Sequence, residues 1–143
     1  MGVVELAQGV IEMRTLIVED DFTSRLLLQS LLGRYGECHI AVNGREAVDT
    51  FRRAWESGQP YDLICMDIMM PEMDGQSAVR EIRACEKGQG TLSATGVKII
   101  MTTALDDVKN VVESFKLLCD AYVFKPIDTG NLLDHLRFLR LIV

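Results

Sequence analysis

Five short runs of nearly continuous apolar residues recur along the chain. They are Thr15-Leu16-Ile17-Val18, His39-Ile40-Ala41-Val42, Leu63-Ile64-Cys65-Met66, Val97 to Met101 and Ala121 to Phe124. Runs that are apolar at both parities suit strands covered on both faces, as in a parallel sheet. Longer amphipathic stretches lie between them. Phe22 to Tyr35 sets Leu27, Leu28, Leu31 and Leu32 on one stripe, with Gly33 and Gly36 punctuating its end. Asn43-Gly44-Arg45-Glu46 has the form of an N-cap with a reciprocating glutamate, and Ala47, Phe51 and Trp55 follow at helical spacing. Gly75 to Cys85 offers Val79 and Ile82, and Asp107 to Leu118 offers Val108, Val111, Val112, Phe115 and Leu118. Asp128 caps a last helix that turns Leu132, Leu136 and Leu139 inward. Strand and helix alternate five times, which predicts an α/β fold: a doubly wound, five-stranded parallel sheet with helices on both faces. In such sheets the working site lies at the carboxyl ends of the strands.

Composition narrows the classes of function. The 143 residues are one domain's length, 48% hydrophobic and 25% charged, which is globular rather than disordered. Fifteen basic against twenty-one acidic side chains leave a net charge of −6, so the chain repels phosphate backbones and is not expected to bind nucleic acid. No apolar run is long enough for a membrane span, and the opening MGVVELAQGVIEM has no basic segment of a secretory signal. Cys38, Cys65, Cys85 and Cys119 form no CxxC pair. These features predict a soluble, cytoplasmic, single-domain protein.

The polar residues at the strand ends carry the chemistry. The first strand runs into Glu19-Asp20-Asp21 and the third into Asp67. If those strands are neighbours, their carboxylates crowd together, and hard oxygen ligands with open positions suit magnesium. Each residue also has a plain reading: Glu19 to Asp21 as a helix cap, Asp67 as an Asx-turn, Thr103 as a strand-end hydroxyl, Lys125 before Pro126 as a surface charge. Taken together they describe a phosphoryl-accepting site. Asp67 would attack phosphorus, a metal on Asp20 and Asp67 would neutralise charge, and Thr103 and Lys125 would bind the remaining oxygens. A carboxylate at its ordinary pKa is ionised at neutral pH, so no general base is expected. Neither His39 nor His135 is placed for catalysis.

These residues resemble the receiver domains of two-component response regulators. The matching pieces are Leu16-Ile17-Val18-Glu19-Asp20-Asp21, Asp67-Ile68-Met69-Met70-Pro71-Glu72-Met73-Asp74-Gly75, Thr103-Ala104 and Lys125-Pro126, in that order. The resemblance implies strand order 2-1-3-4-5 in a three-layer α/β/α sandwich, with a receiver domain over 14–143 and an extension over 1–13. It implies that Asp67 accepts phosphate from a sensor histidine kinase or a histidine phosphotransfer protein, with Mg2+ as cofactor. Asp20, Asp67 and the backbone carbonyl of Met69 would hold the metal, and Glu19 would act through water. Asp21 would lie just outside the site; the spacing to Arg25 favours this register. Thr103, rather than Thr102, matches the switch hydroxyl, and Tyr122 matches the switch aromatic. Phosphorylation would then shift the face from the fourth strand to the fifth helix, where a downstream protein or a second copy would dock. On this reading the chain is no enzyme beyond catalysing its own aspartyl phosphorylation and dephosphorylation.

Several features depart from the family's pattern or lie outside it. Glu86 to Gly96 reads as a long connection rich in small residues, and nothing after the last helix reads as an output domain. Phe138, Leu141 and Ile142 look like a second apolar stripe on the last helix, either packing locally or docking a partner. Three other readings compete with the receiver reading. A metal-dependent phosphatase would need an acid two residues after Asp67, and a flavin module would need a first loop that attracts phosphate. A receiver-like docking module that is never phosphorylated is the remaining alternative. Met69 and Leu105, two residues beyond Asp67 and Thr103, are both apolar. They predict slow self-dephosphorylation, and a phosphoprotein lifetime of seconds would contradict that.

Overall fold

The computed structural model describes residues 12–90, 96–104, 109 and 119–143. Its elements are β1 (Thr15–Val18), α1 (Phe22–Leu32), a 3-10 turn (Gly33–Tyr35), β2 (Cys38–Ala41), α2 (Gly44–Glu56), β3 (Leu63–Asp67), α3 (Gly75–Gly88), β4 (Lys98–Ala104), β5 (Ala121–Lys125) and α4 (Thr129–Phe138). The strands form one parallel sheet in the order β2-β1-β3-β4-β5. That order places β1 beside β3, with Val18 opposite Met66, so the residues that follow the two strands emerge side by side. The helix expected over 107–118 lies outside the described residues, as does Leu105.

Each helix starts where a side chain can replace a missing backbone partner. Asp21 accepts from the Ser24 amide, Asn43 from Glu46, Asp74 from Ser77 and Asp128 from Gly130. Glu46 reaches back to the Val42 amide at 3.0 Å, one residue earlier than in the usual reciprocal cap.

Alternation along the strands divides the core in two. Leu16, Val18, Ile64, Met66, Ile99 and Met101 face α2 and α3, where Val48, Phe51, Val79 and Ile82 are buried. Ile17, Leu63, Cys65, Ile100 and Val123 face α1 and α4, where Leu28, Leu32, Leu132 and Leu136 are buried. Both faces of the sheet are thus covered, which is why its strands read as continuous apolar runs. Met13, just ahead of β1, is also buried, and its amide donates to Tyr35 O at 2.8 Å.

The apolar stripe expected on the last helix is not a helical face. The helix ends at Phe138, and Arg140 takes a left-handed conformation with φ of 61°. The chain then reverses, the Leu141 amide donates to Leu136 O at 2.9 Å, and Leu141 and Ile142 fold back onto the core. Phe138 alone stays outside, 84% exposed.

A buried ionic clamp ties α3 to β4 at the pole opposite the strand ends. Arg83 Nη1 donates to Glu86 Oε1 and to Val97 O, both at 2.8 Å, and Glu86 Oε2 accepts from the Val97 amide at 2.7 Å. Asp120 joins it, accepting from Arg83 Nη2 at 3.1 Å and from the Ile99 amide at 2.8 Å. Glu86 is 1% exposed, so removing its cation strands a charge in the interior. Arg83→Leu should therefore lose about 3–5 kcal/mol in urea unfolding; a loss below about 1 kcal/mol would show that the clamp is solvated in solution.

Candidate functional site

The strand ends converge on an acidic pocket. Glu19 follows β1 and is fully buried, its amide held by Ala41 O at 3.0 Å. Asp20 is exposed beside it. Asp67, the last residue of β3, is 5% exposed. Carboxylate oxygens of Glu19, Asp20 and Asp67 all lie within 4.8 Å of one another. Asp21 turns away to cap α1, and hydrogen bonding from the Ser24 amide and hydroxyl holds its carboxyl below the usual range. Arg25, one turn into α1, braces the strand end through its guanidinium, which donates to Glu19 O at 3.2 Å and Asp20 O at 3.5 Å.

Lys125 arrives from the end of β5, and its ammonium bridges the carboxylates. Nζ lies 3.0 Å from Glu19 Oε1, 3.1 Å from Glu19 Oε2 and 3.3 Å from Asp67 Oδ2. A cis peptide bond joins Lys125 to Pro126. Burial disfavours the ammonium form, but the hydrogen bond to Glu19 and the charges of Asp67 and Glu19 outweigh it and raise the lysine's pKa. One ammonium nevertheless faces three carboxylates. Burial first, then the hydrogen bond and charge of Glu19, push the Asp67 carboxyl up to about 7, with Lys125 opposing. A pocket of hard oxygen donors whose anions outnumber the cations fits a divalent magnesium ion.

Thr103 lies one residue beyond the register partner of Asp67, which is Thr102. Both threonines are buried at 2% exposure, and neither hydroxyl has a hydrogen-bond partner among the described residues. The preference for Thr103 thus rests on the resemblance, because burial and bonding do not separate the two. Tyr122 on β5 is half-buried against the sheet face that packs on α2 and α3, edge-on to Phe124 with ring centroids 5.2 Å apart. Met69, two residues beyond Asp67, is 66% exposed. His39 sits away from the acids, bonded to the Tyr61 hydroxyl and to Glu37.

Two glycines read from the sequence as helix starts permit close backbone approaches at the loop that follows Asp67. The Gly75 amide donates to Ile68 O at 2.9 Å, and a β-carbon there would stand 2.2 Å from Asp67 O. The Gly44 amide donates to Met73 O at 3.0 Å. No local pattern marks these contacts, because the partners lie in other elements.

A family model for the response regulator receiver domain matches residues 15–137. The chain belongs to the response regulator receiver family. It is 35% identical over 130 residues to a probable transcriptional regulator, ycf27, of Cyanidium caldarium, covering 90% of this chain and 47% of that protein. The chain spans about half or less of the length of the curated relatives it matches. Among solved structures, it is 28% identical to the receiver domain of the sensor histidine kinase PA1611 from Pseudomonas aeruginosa PAO1. That structure has a magnesium ion coordinated in its active-site cleft; TM-score is 0.73, covering 90% of this chain and 98% of the other. The receiver domain of Saccharomyces cerevisiae Ssk1, solved with the phosphotransfer protein Ypd1, is 27% identical at TM-score 0.74, covering 94% of both chains. No helix among the described residues is long and apolar enough to cross a membrane.

The raised Asp67 carboxyl makes a stability prediction with a definite sign. In metal-free protein the folded state holds the Asp67 proton more tightly than the unfolded chain, whose pKa is near 4. Its contribution to stability therefore falls as pH rises from about 4 to about 7. Asp67→Asn removes that loss and should stabilise the metal-free protein by about 1–3 kcal/mol at pH 8, the gap closing toward pH 4. Urea unfolding in chelator across this range checks it, and a variant no more stable than wild type at pH 8 would contradict it.

Proposed function

We propose that Asp67 accepts a phosphoryl group from a phosphohistidine donor, either a sensor histidine kinase or a phosphotransfer protein, in a magnesium-dependent reaction. The observation that carries this reading is the placement of Lys125 Nζ 3.3 Å from a buried Asp67, with Glu19 and Asp20 clustered beside it. An Asp67 oxygen attacks phosphorus as the donor's P–N bond breaks, and the departing imidazole nitrogen keeps the bonding pair. Asp20, Asp67 and the Met69 carbonyl would hold the metal, and Glu19 would reach it through water. When bound, magnesium would neutralise charge on the phosphoryl oxygens.

The chain's own residues do the rest. The Lys125 ammonium is drawn from the carboxylate oxygens onto a phosphoryl oxygen, and the Thr103 hydroxyl, buried and without a hydrogen-bond partner among the described residues, donates to another. Movement of Thr103 opens space that Tyr122 follows, and the face from β4 to α4 changes shape to meet a downstream protein or a second copy. The apolar Met69 offers no hydrogen bond to an attacking water, which favours a long-lived acyl phosphate. On this reading residues 14–143 are the receiver unit, 1–13 precede it, and it works in the cytoplasm, catalysing only its own modification.

Intact mass after incubation with acetyl phosphate and magnesium tests the proposal. Wild type should gain one phosphoryl group, and Asp67→Ala, or wild type in chelator, should gain none. Absence of any gain in wild type would leave a docking module that works unphosphorylated.

A further inference from the structure

We propose that Gly44, the first residue of α2, is a positioning residue for the loop that carries the phosphoacceptor chemistry. The inference rests on the phosphoryl-acceptor reading of Asp67 and adds a residue remote from the acids in sequence. The Gly44 amide donates to Met73 O at 3.0 Å. A β-carbon at Gly44 would lie 2.2 Å from that oxygen and 2.9 Å from both the carbonyl carbon and the β-carbon of Met73. Gly44 is therefore needed for close approach: α2 seats its N-terminus directly on the backbone of the loop between Asp67 and Gly75.

The loop has little room to absorb a push. Its base is closed by the Gly75 amide on Ile68 O at 2.9 Å, and Gly75 itself abuts Asp67 O. Pro71 fixes its own φ. Glu72 already occupies the left-handed region at φ of 64°, where a side chain tolerates little further change. An alanine at Gly44 would have to drive the Met73 carbonyl away by at least roughly 1 Å to reach ordinary contact. With both loop ends fixed, that displacement passes through Pro71 toward Met69, whose carbonyl is the proposed third metal ligand. The body of α2 is seated in the core by Ala47, Val48 and Phe51, so the helix cannot simply back away.

Helix physics alone predicts the opposite effect. Alanine is a better helix former than glycine, and without the contact to Met73, Gly44→Ala would stabilise α2 and leave the site untouched. Amide spectra of 15N-labelled wild type and Gly44→Ala, each titrated with magnesium, separate the two cases. The positioning role predicts displaced resonances for residues 69–73 and a magnesium affinity weakened by about 10-fold or more. Magnesium affinity within about twofold of wild type would overturn the proposal, whether or not the loop resonances move. Double substitution Gly44→Ala with Glu72→Gly should recover part of the affinity, because a glycine at 72 lets the Met73 peptide turn without carrying Met69 with it.

Should Gly44→Ala fail to fold, hydrogen exchange of the Gly44 amide in wild type decides the matter. Its protection should rise about fivefold or more on saturation with magnesium, and unchanged protection would overturn the role. Wild type that binds no magnesium would overturn the acceptor reading itself and this proposal with it. That failure is distinguishable because it appears without any substitution.

Discussion

A single ammonium, Lys125 Nζ, sits between two buried carboxylates that begin more than fifty residues away in sequence, and the geometry of the acidic pocket follows from it. Glu19 has no exposure, and Asp67 has almost none. A charge so buried is costly unless paired, and Lys125 meets both at 3.0–3.3 Å. The strand order makes the pairing possible. With β1 beside β3, and β4 between β3 and β5, three distant segments finish at one end of the sheet. The apolar cores above and below the sheet contribute cohesion, and their strands carry the polar residues to that edge at a fixed height.

The pairing is incomplete, and that incompleteness is its chemical content. Lys125 cannot compensate Glu19, Asp20 and Asp67 together, so burial and Glu19 push the Asp67 carboxyl up to about 7. A stable fold without a task would replace one carboxylate by an amide. Here the surplus negative charge of Glu19, Asp20 and Asp67 gathers at the end of the sheet where Thr103 also lies, a hydroxyl with no hydrogen-bond partner among the described residues, and a cation or phosphoryl oxygen would complement both. Stability comes from elsewhere, including the Arg83–Glu86 clamp at the opposite pole and the helix caps on Asp21, Asn43, Asp74 and Asp128. Such separation between a charge-burdened working end and the elements that hold the fold together is what functional proteins are expected to show.

Much of this was legible in the residues, for local reasons. A strand buried on both faces writes itself as a continuous apolar run, and β1 spans the four residues so read. Capping is likewise local, so Asn43 and Asp128 announced their helices. The acids and Lys125 were legible because each directly ends a strand. Long-range backbone contacts were not: Gly44 on Met73 and Gly75 on Asp67 involve partners that no spacing rule connects. The Arg83–Glu86 pair sits at ordinary helical spacing, and only the fold shows that it is buried. Leu141 and Ile142 were assigned to a helix face because apolar periodicity continues past Phe138, whereas a left-handed turn at Arg140 sends them to the core. Thr102 and Thr103 remain alike in burial and bonding, and only the family pattern distinguishes them.

The central claim is that uncompensated negative charge around Asp67 is the site's working feature and that a divalent cation relieves it. Titration of the Asp67 carboxyl carbon by 13C NMR, with and without saturating magnesium, addresses this directly. Without metal the carboxyl should titrate well above the ordinary carboxylate range, and with magnesium it should fall below that range, because a bound dication favours the ionised form. A carboxyl that titrates in the ordinary range without metal, or one whose titration magnesium does not move, would contradict the account.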